Sequence, residues 1–124
     1  MEVLRIPGTD ETPAVVLDPV ENIFEFSGKS LPEDVTSFYS PVLDWLDAYD
    51  KKPLAKTVVD FKLSYFNTAS SKLILDILFK LESIHQSGSE VLIRWYYESE
   101  DEDMKEAGKE YGDLLEVPFA LETL

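Results

Sequence analysis

The chain has 124 residues, 44% of them hydrophobic, with 7 Phe, 6 Tyr and 2 Trp, which suits one domain over 1–124 burying roughly two-thirds of its unfolded surface. Eleven basic against 25 acidic residues leave a net charge of −14, a surface that repels phosphate backbones and anionic headgroups and speaks against nucleic-acid or membrane partners. Without cysteine there is no disulfide framework, thiolate nucleophile or thiolate metal site.

The opening segment "MEVLRIPGTDETP" has neither the basic start nor the apolar stretch of a secretion signal. No apolar run approaches the ~20 residues that span a bilayer, so a cytoplasmic location is expected. "EVLRI" (2–6) and "PAVVLD" (13–18) are short apolar runs joined by a turn-rich link, and "NIFEFSG" (22–28) alternates apolar with polar residues. These three read as strands joined by tight turns, in antiparallel order.

From Pro32 the period changes. Val35, Phe38, Tyr39, Val42, Leu46 and Tyr49 recur at helical spacing. Ser30 or Leu31, before a proline and two acids, reads as the helix start. Pro41 falls inside the pattern and is expected to kink or divide it. The helix should close near "DKKP". "KTVVDFKLSYF" (56–66) is β-branched and aromatic, a strand. A helix over about 69–86 follows and closes at "QSGS", with Gly88 as its C-terminal cap. A strand over 90–98 comes next, then a polar helix over 99–115 with acids in its first turns, and a last strand in "VPFALETL". The order β-β-β-α-β-α-β-α-β predicts an α/β fold: a small mixed sheet, parallel in its second half, with helices packed mainly on one face.

The stretch "YFNTASSK" (65–72) stands where the strand gives way to the second helix. With Leu73 set at zero on the helical wheel, Leu73, Ile74, Ile77, Leu78, Leu81 and Ile84 fall in an arc of roughly 140°, the core face. Thr68, Lys72, Leu75 and Phe79 fall together at about 200–260°, as one outward row. Two large apolar side chains there suggest a contact surface; the alternative is that they pack under a neighbouring helix. Thr68, Ser70 and Ser71 stand at the helix N-terminus, where unpaired N–H groups favour an anion. A phosphate there would bring nearly two negative charges one turn from Lys72 and oppose any partner covering the row. Hydroxyls at this place also serve simply as caps.

Taken with "GKSLPEDVTSFYSPVLDWLDAYD" upstream and "WYYESEDEDMKEAGKEYGD" downstream, this stretch resembles the SiaC family of bacterial regulatory phosphoproteins. The likeness runs from "TDETP" to "VPF", with three blocks in the same order. It implies a fold related to the STAS (anti-sigma-factor-antagonist) domain and a non-enzymatic switch without cofactor. It also implies a dedicated serine/threonine kinase, a PP2C-type phosphatase, and an unphosphorylated form that binds and activates a diguanylate cyclase, raising cyclic di-GMP and favouring biofilm growth. The family's Asn-Thr-Ser-Ser motif reads Asn67, Thr68, Ala69, Ser70 here, with Ser71 following. The phosphoacceptor carries over to Thr68, and the partner-binding face becomes Asn67, Thr68, Ser71, Lys72, Leu75 and Phe79. An anti-sigma-factor antagonist that sequesters an anti-sigma kinase is the alternative role, served by the same threonine.

The remaining candidates are weak. His85 is the only histidine and reads as a dipole partner at the end of the second helix, or as a partly buried residue. No triad spacing or second histidine accompanies it. "ESEDEDMKE" (98–106) lacks the glycine and the terminal glutamate of a helix–loop–helix calcium loop, so no metal is expected. Asp44, Asp47 and Asp60 are not distinguished from an ordinary acidic surface. Trp45 and Trp95 read as core or near-core.

Overall fold

The computed structural model describes residues 2–124. Nine elements follow in the expected order: β1 (Leu4–Ile6), β2 (Ala14–Asp18), β3 (Ile23–Ser30), α1 (Val35–Asp50), β4 (Lys56–Phe66), α2 (Thr68–Gln86), β5 (Glu90–Tyr97), α3 (Glu102–Leu114) and β6 (Phe119–Thr123). The strands form one sheet whose spatial order equals their order in sequence. β1, β2 and β3 pair antiparallel; β3 to β6 pair parallel, each step spanned by one helix. Three successive crossovers run in one direction along the sheet, and the right-handed rule for such connections sets all three helices on the same face.

Burial alternates accordingly. Phe24, Phe26, Val59, Phe61, Leu63, Val91, Ile93 and Trp95 are buried beneath the helices. Their neighbours in the strands face the open side, where Lys62–Glu25 (2.8 Å), Arg94–Asp60 (2.6 Å) and Arg5–Asp18 (2.6 Å) pair across strands. Beneath the helices Phe26 stacks on Phe61 at 4.7 Å and Phe61 on Trp95 at 5.6 Å. The Trp95 Nε1–H donates to the Met104 carbonyl at 3.0 Å, tying α3 to the sheet.

Three expectations are corrected. α1 does not start at Ser30 or Leu31: Ser30 is the last residue of β3, paired with Phe66, and Asp34 is the N-cap. Pro32 holds Leu31 in an extended conformation, and Asp34 accepts both the amide (3.1 Å) and the hydroxyl (2.9 Å) of Ser37. Nor does Pro41 divide the helix, which runs unbroken from 35 to 50. Pro41 and Ser37 are both exposed, so water can take the one carbonyl left without its N–H. β3 also continues past Gly28, where a register shift and a φ of 98° mark a bulge rather than a strand end. At the far end of α2, Gly88 takes a φ of 117°, and its N–H bonds the His85 carbonyl at 3.2 Å, as a C-terminal glycine cap requires.

Candidate functional site at the start of the second helix

The carboxyl ends of parallel strands and the N-termini of the following helices share one rim of such a sheet. The chain crosses that rim between Phe66, the end of β4, and Thr68, the first residue of α2. Asn67 makes the turn. Its backbone is extended (φ −86°, ψ 174°) and its side-chain oxygen accepts the Ser70 N–H at 2.9 Å. Its carbonyl accepts the Ser71 N–H at 3.1 Å, and its own N–H donates to the Ser30 carbonyl at 3.2 Å. The cap residue is thereby fixed to β3, and the first-turn N–H groups of Thr68 and Ala69 have no partner within the helix.

The three hydroxyls of "TASS" have different fates. Ser70 is fully buried. It donates to the Ser30 carbonyl at 3.0 Å and accepts from the Ser30 hydroxyl at 2.9 Å. Since Ser30 has spent its one hydrogen on Ser70, the Tyr39 hydroxyl must be the donor in its own bond to Ser30. Ser71 is half-buried and its hydroxyl donates to the Thr68 carbonyl at 2.6 Å. Thr68 alone is exposed. On the other flank, the Tyr111 hydroxyl of α3 donates to the Ser71 carbonyl at 2.9 Å. Burial raises the Tyr39 hydroxyl above its ordinary value, with the hydrogen bond it shares with Ser30 as a smaller opposing effect. Burial, then Tyr39 and Glu110, push Tyr111 up to about 12. Both phenols therefore keep their protons near neutral pH and act as fixed donors.

Ser30, Tyr39 and Tyr111 are thus the support of the site, and the sequence reading gave them no such role. The signal was available: a tyrosine in an apolar helical stripe must find a partner for its hydroxyl when buried.

The wheel's outward row divides. Lys72 is exposed and makes no ion pair among the described residues. Phe79 is 43% exposed and borders a groove against α1. Leu75, however, is half-buried against the core and lines the seam between α2 and α3 with Phe66, Ala107 and Tyr111. At about 200° it lies next to the core arc, on the side that α3 covers. The contact-surface reading thus fits Phe79 and the neighbouring-helix reading fits Leu75.

Elsewhere, His85 lies in the last turn of α2, half-buried, and its Nδ1 accepts the Val91 N–H at 3.2 Å. In the acidic run, Asp101 is the N-cap of α3 and accepts the Met104 N–H at 3.0 Å. Among the described residues no group of three or more His, Cys, Asp or Glu is placed to hold a metal ion, and no helix is long and apolar enough to cross a membrane. Trp45 and Trp95 are both buried.

Comparison with known proteins places this rim in context. The model of the SiaC family regulatory phosphoprotein matches residues 6–124. The chain belongs to the SiaC family. It is 34% identical over 122 residues to an uncharacterised protein of Pseudomonas aeruginosa (strain UCBPP-PA14), covering 98% of this chain and 97% of that one. Among solved structures it superposes on SiaC of P. aeruginosa with a TM-score of 0.91 at 33% identity, over 100% of both chains. A second match, with a TM-score of 0.91 at 34% identity over 98% and 99% of the two chains, is to the crystal structure of the diguanylate cyclase SiaD in complex with its activator SiaC from P. aeruginosa. Apo-SiaC of the same organism matches with a TM-score of 0.88 at 34% identity, over 98% and 99% of the two chains.

Proposed function

We infer that this SiaC-family protein is a non-enzymatic, cytoplasmic partner switch. A serine/threonine kinase phosphorylates Thr68, a PP2C-type phosphatase resets it, and the unphosphorylated form binds and activates a diguanylate cyclase. The observation that carries this reading is the sorting of hydroxyls at the start of α2. Ser70 is sealed in a hydrogen-bonded chain and Ser71 is tied to the backbone, while Thr68 is exposed on the outer face of the helix. A phosphate on Thr68 would meet the free amides of the first turn and the unpaired Lys72, and would change the charge of the face without disturbing the core. The P. aeruginosa SiaC in complex with SiaD supports the choice of a cyclase as effector.

The test has two parts. Incubation with the kinase and ATP, followed by mass spectrometry, should place the modification on Thr68. Thr68→Ala should then bind and activate the cyclase whether or not the kinase is present, and Thr68→Asp should bind at least tenfold more weakly. Equal affinity of the two variants overturns the reading.

A further inference from the structure

α1 and α2 lie side by side on the sheet, and the outer surface between them is a groove of about 490 Å³. Its floor is apolar: Leu43 and Leu46 from α1, and the exposed ring of Phe79 from α2. Its rim is anionic: Asp47 and Asp50 from α1, Asp76 from α2. α1 contains no basic residue along its length. Among the described residues the one cation lining the groove, Lys80, is neutralised by Asp47 at 2.6 Å. The open face of the sheet is different: Arg5, Lys62 and Arg94 there are each matched to an acid in a cross-strand pair.

An apolar floor with an acidic rim complements an amphipathic helix whose apolar side is bordered by Lys or Arg. The other end of α2 has the opposite character. Thr68 and Phe79 are eleven positions apart, about 16 Å along the helix, within the reach of a single partner helix of three turns. At the Thr68 end that helix would meet the positive end of the α2 dipole and the unpaired Lys72, where an anion is favoured. Glu110 stands across the seam with α3, and Asp34 is held in the cap of α1 by its two bonds to Ser37.

We propose that the α1–α2 groove seats a charge-polarised amphipathic helix of the partner, cationic where it crosses Asp47, Asp50 and Asp76 and anionic where it reaches Thr68 and Lys72. This deepens the switch reading and rests on it for the regulatory step. A phosphate on Thr68 takes the amides and the ammonium that the partner's own anion uses, and repels that anion. The cationic half of the contact is untouched, so modification removes affinity by displacing one end.

The probes are two synthetic helical peptides, stapled so that both are fully helical, with the same apolar face and composition. One carries its lysines in the N-terminal half and glutamates in the C-terminal half; the other has the same lysines and glutamates alternating along its whole length, so that neither direction of docking gives it the polarity of the groove. Each is titrated into the ¹⁵N-labelled full chain. The first peptide, laid antiparallel to α2, should bind at least tenfold more tightly and shift the amides of Leu43, Leu46, Phe79 and Lys72. Asp47→Asn with Asp50→Asn should reduce that preference severalfold, as should Thr68→Asp. Equal affinities, or shifts confined to the open face of the sheet or to α3, overturn the proposal. Neither kinase nor cyclase enters this measurement. Its failure therefore leaves the Thr68 test standing, and failure of the Thr68 test leaves the groove's preference to be judged here.

Discussion

Two hydroxyls two positions apart show how strongly a helix start discriminates. Thr68, the first helical residue, points to water; Ser70, one step below the rim, closes a chain running from Tyr39 through Ser30. The difference is rotation: two residues on a helix turn a side chain by about 200°, from outside to core. Its energetic consequence can be measured. Removing the Ser70 hydroxyl leaves the buried Ser30 hydroxyl without its acceptor and the Ser30 carbonyl without one of its donors, a loss of about 1–3 kcal/mol. Removing the Thr68 hydroxyl should change stability by less than about 0.5 kcal/mol. Urea unfolding of Ser70→Ala and Thr68→Ala should reproduce that contrast, and a Ser70→Ala midpoint indistinguishable from the parent would refute the buried chain. Leu75 needs the same care. Because it packs in the α2–α3 seam, a Leu75→Asp change strikes the fold as well as any partner, and the exposed Phe79 is the cleaner probe of the outer face.

At the scale of elements, α3 shows what composition hides. Its sequence is mostly charged, yet it presses on the sheet through Met104, Gly108 and Tyr111. Gly108 is there for close approach: a Cβ at this position would stand 2.4 Å from Trp95 Cδ1 and 2.7 Å from Leu121 Cδ2. Gly108→Ala sets two effects against each other. Alanine favours the helix by about 1 kcal/mol, but a clash with a fully buried indole and its neighbour costs about 1–3 kcal/mol. Since Trp95 is itself fixed by its bond to Met104, the ring cannot swing away, and net destabilisation is expected. Thermal unfolding should show a lower midpoint together with a changed tryptophan fluorescence; an unchanged or raised midpoint would show that α3 rides more loosely than drawn. Short apolar runs, the alternation in β3, the β-branched content of β4, the helical stripes of α1 and α2 and the acid-rich start of α3 made the nine elements legible. What they could not give was set by single side chains and by tertiary contact. Asp34 rather than Ser30 caps α1 because Ser30 is held by β4; Gly28 bends a strand instead of ending it; Leu75 is covered because α3 crosses beside it. At the candidate site, the wheel set Thr68, Lys72 and Phe79 on the outer face, and all three side chains are exposed. The phenols beneath them come from α1 and α3, and only the assembled fold brings these together.

For the whole molecule, those two phenols couple the three helices: Tyr39 of α1 and Tyr111 of α3 both bond at the start of α2 or to the strand residue that holds it. Alkaline pH is the natural probe of this junction. A phenol whose folded value lies above its unfolded value of about 10 keeps its proton longer in the folded state. Between the two values the unfolded chain binds fewer protons, so stability falls as pH rises. Below about pH 10 the contribution is complete; for Tyr111 it is lost as pH climbs toward about 12. Lys62, raised by its hydrogen bond to Glu25, acts in the same direction, since its ammonium is better held in the folded state. The urea midpoint should therefore stay level from pH 8 to about 9.5 and fall steeply above about 10. Tyr111→Phe should start from a lower midpoint, having lost the bond to Ser71, and decline with a shallower slope, leaving the contributions of Tyr39 and Lys62. If the parent and Tyr111→Phe lose stability in parallel across this range, the phenol is not held neutral by the junction. The seam between α2 and α3 would then be wetter than its packing indicates.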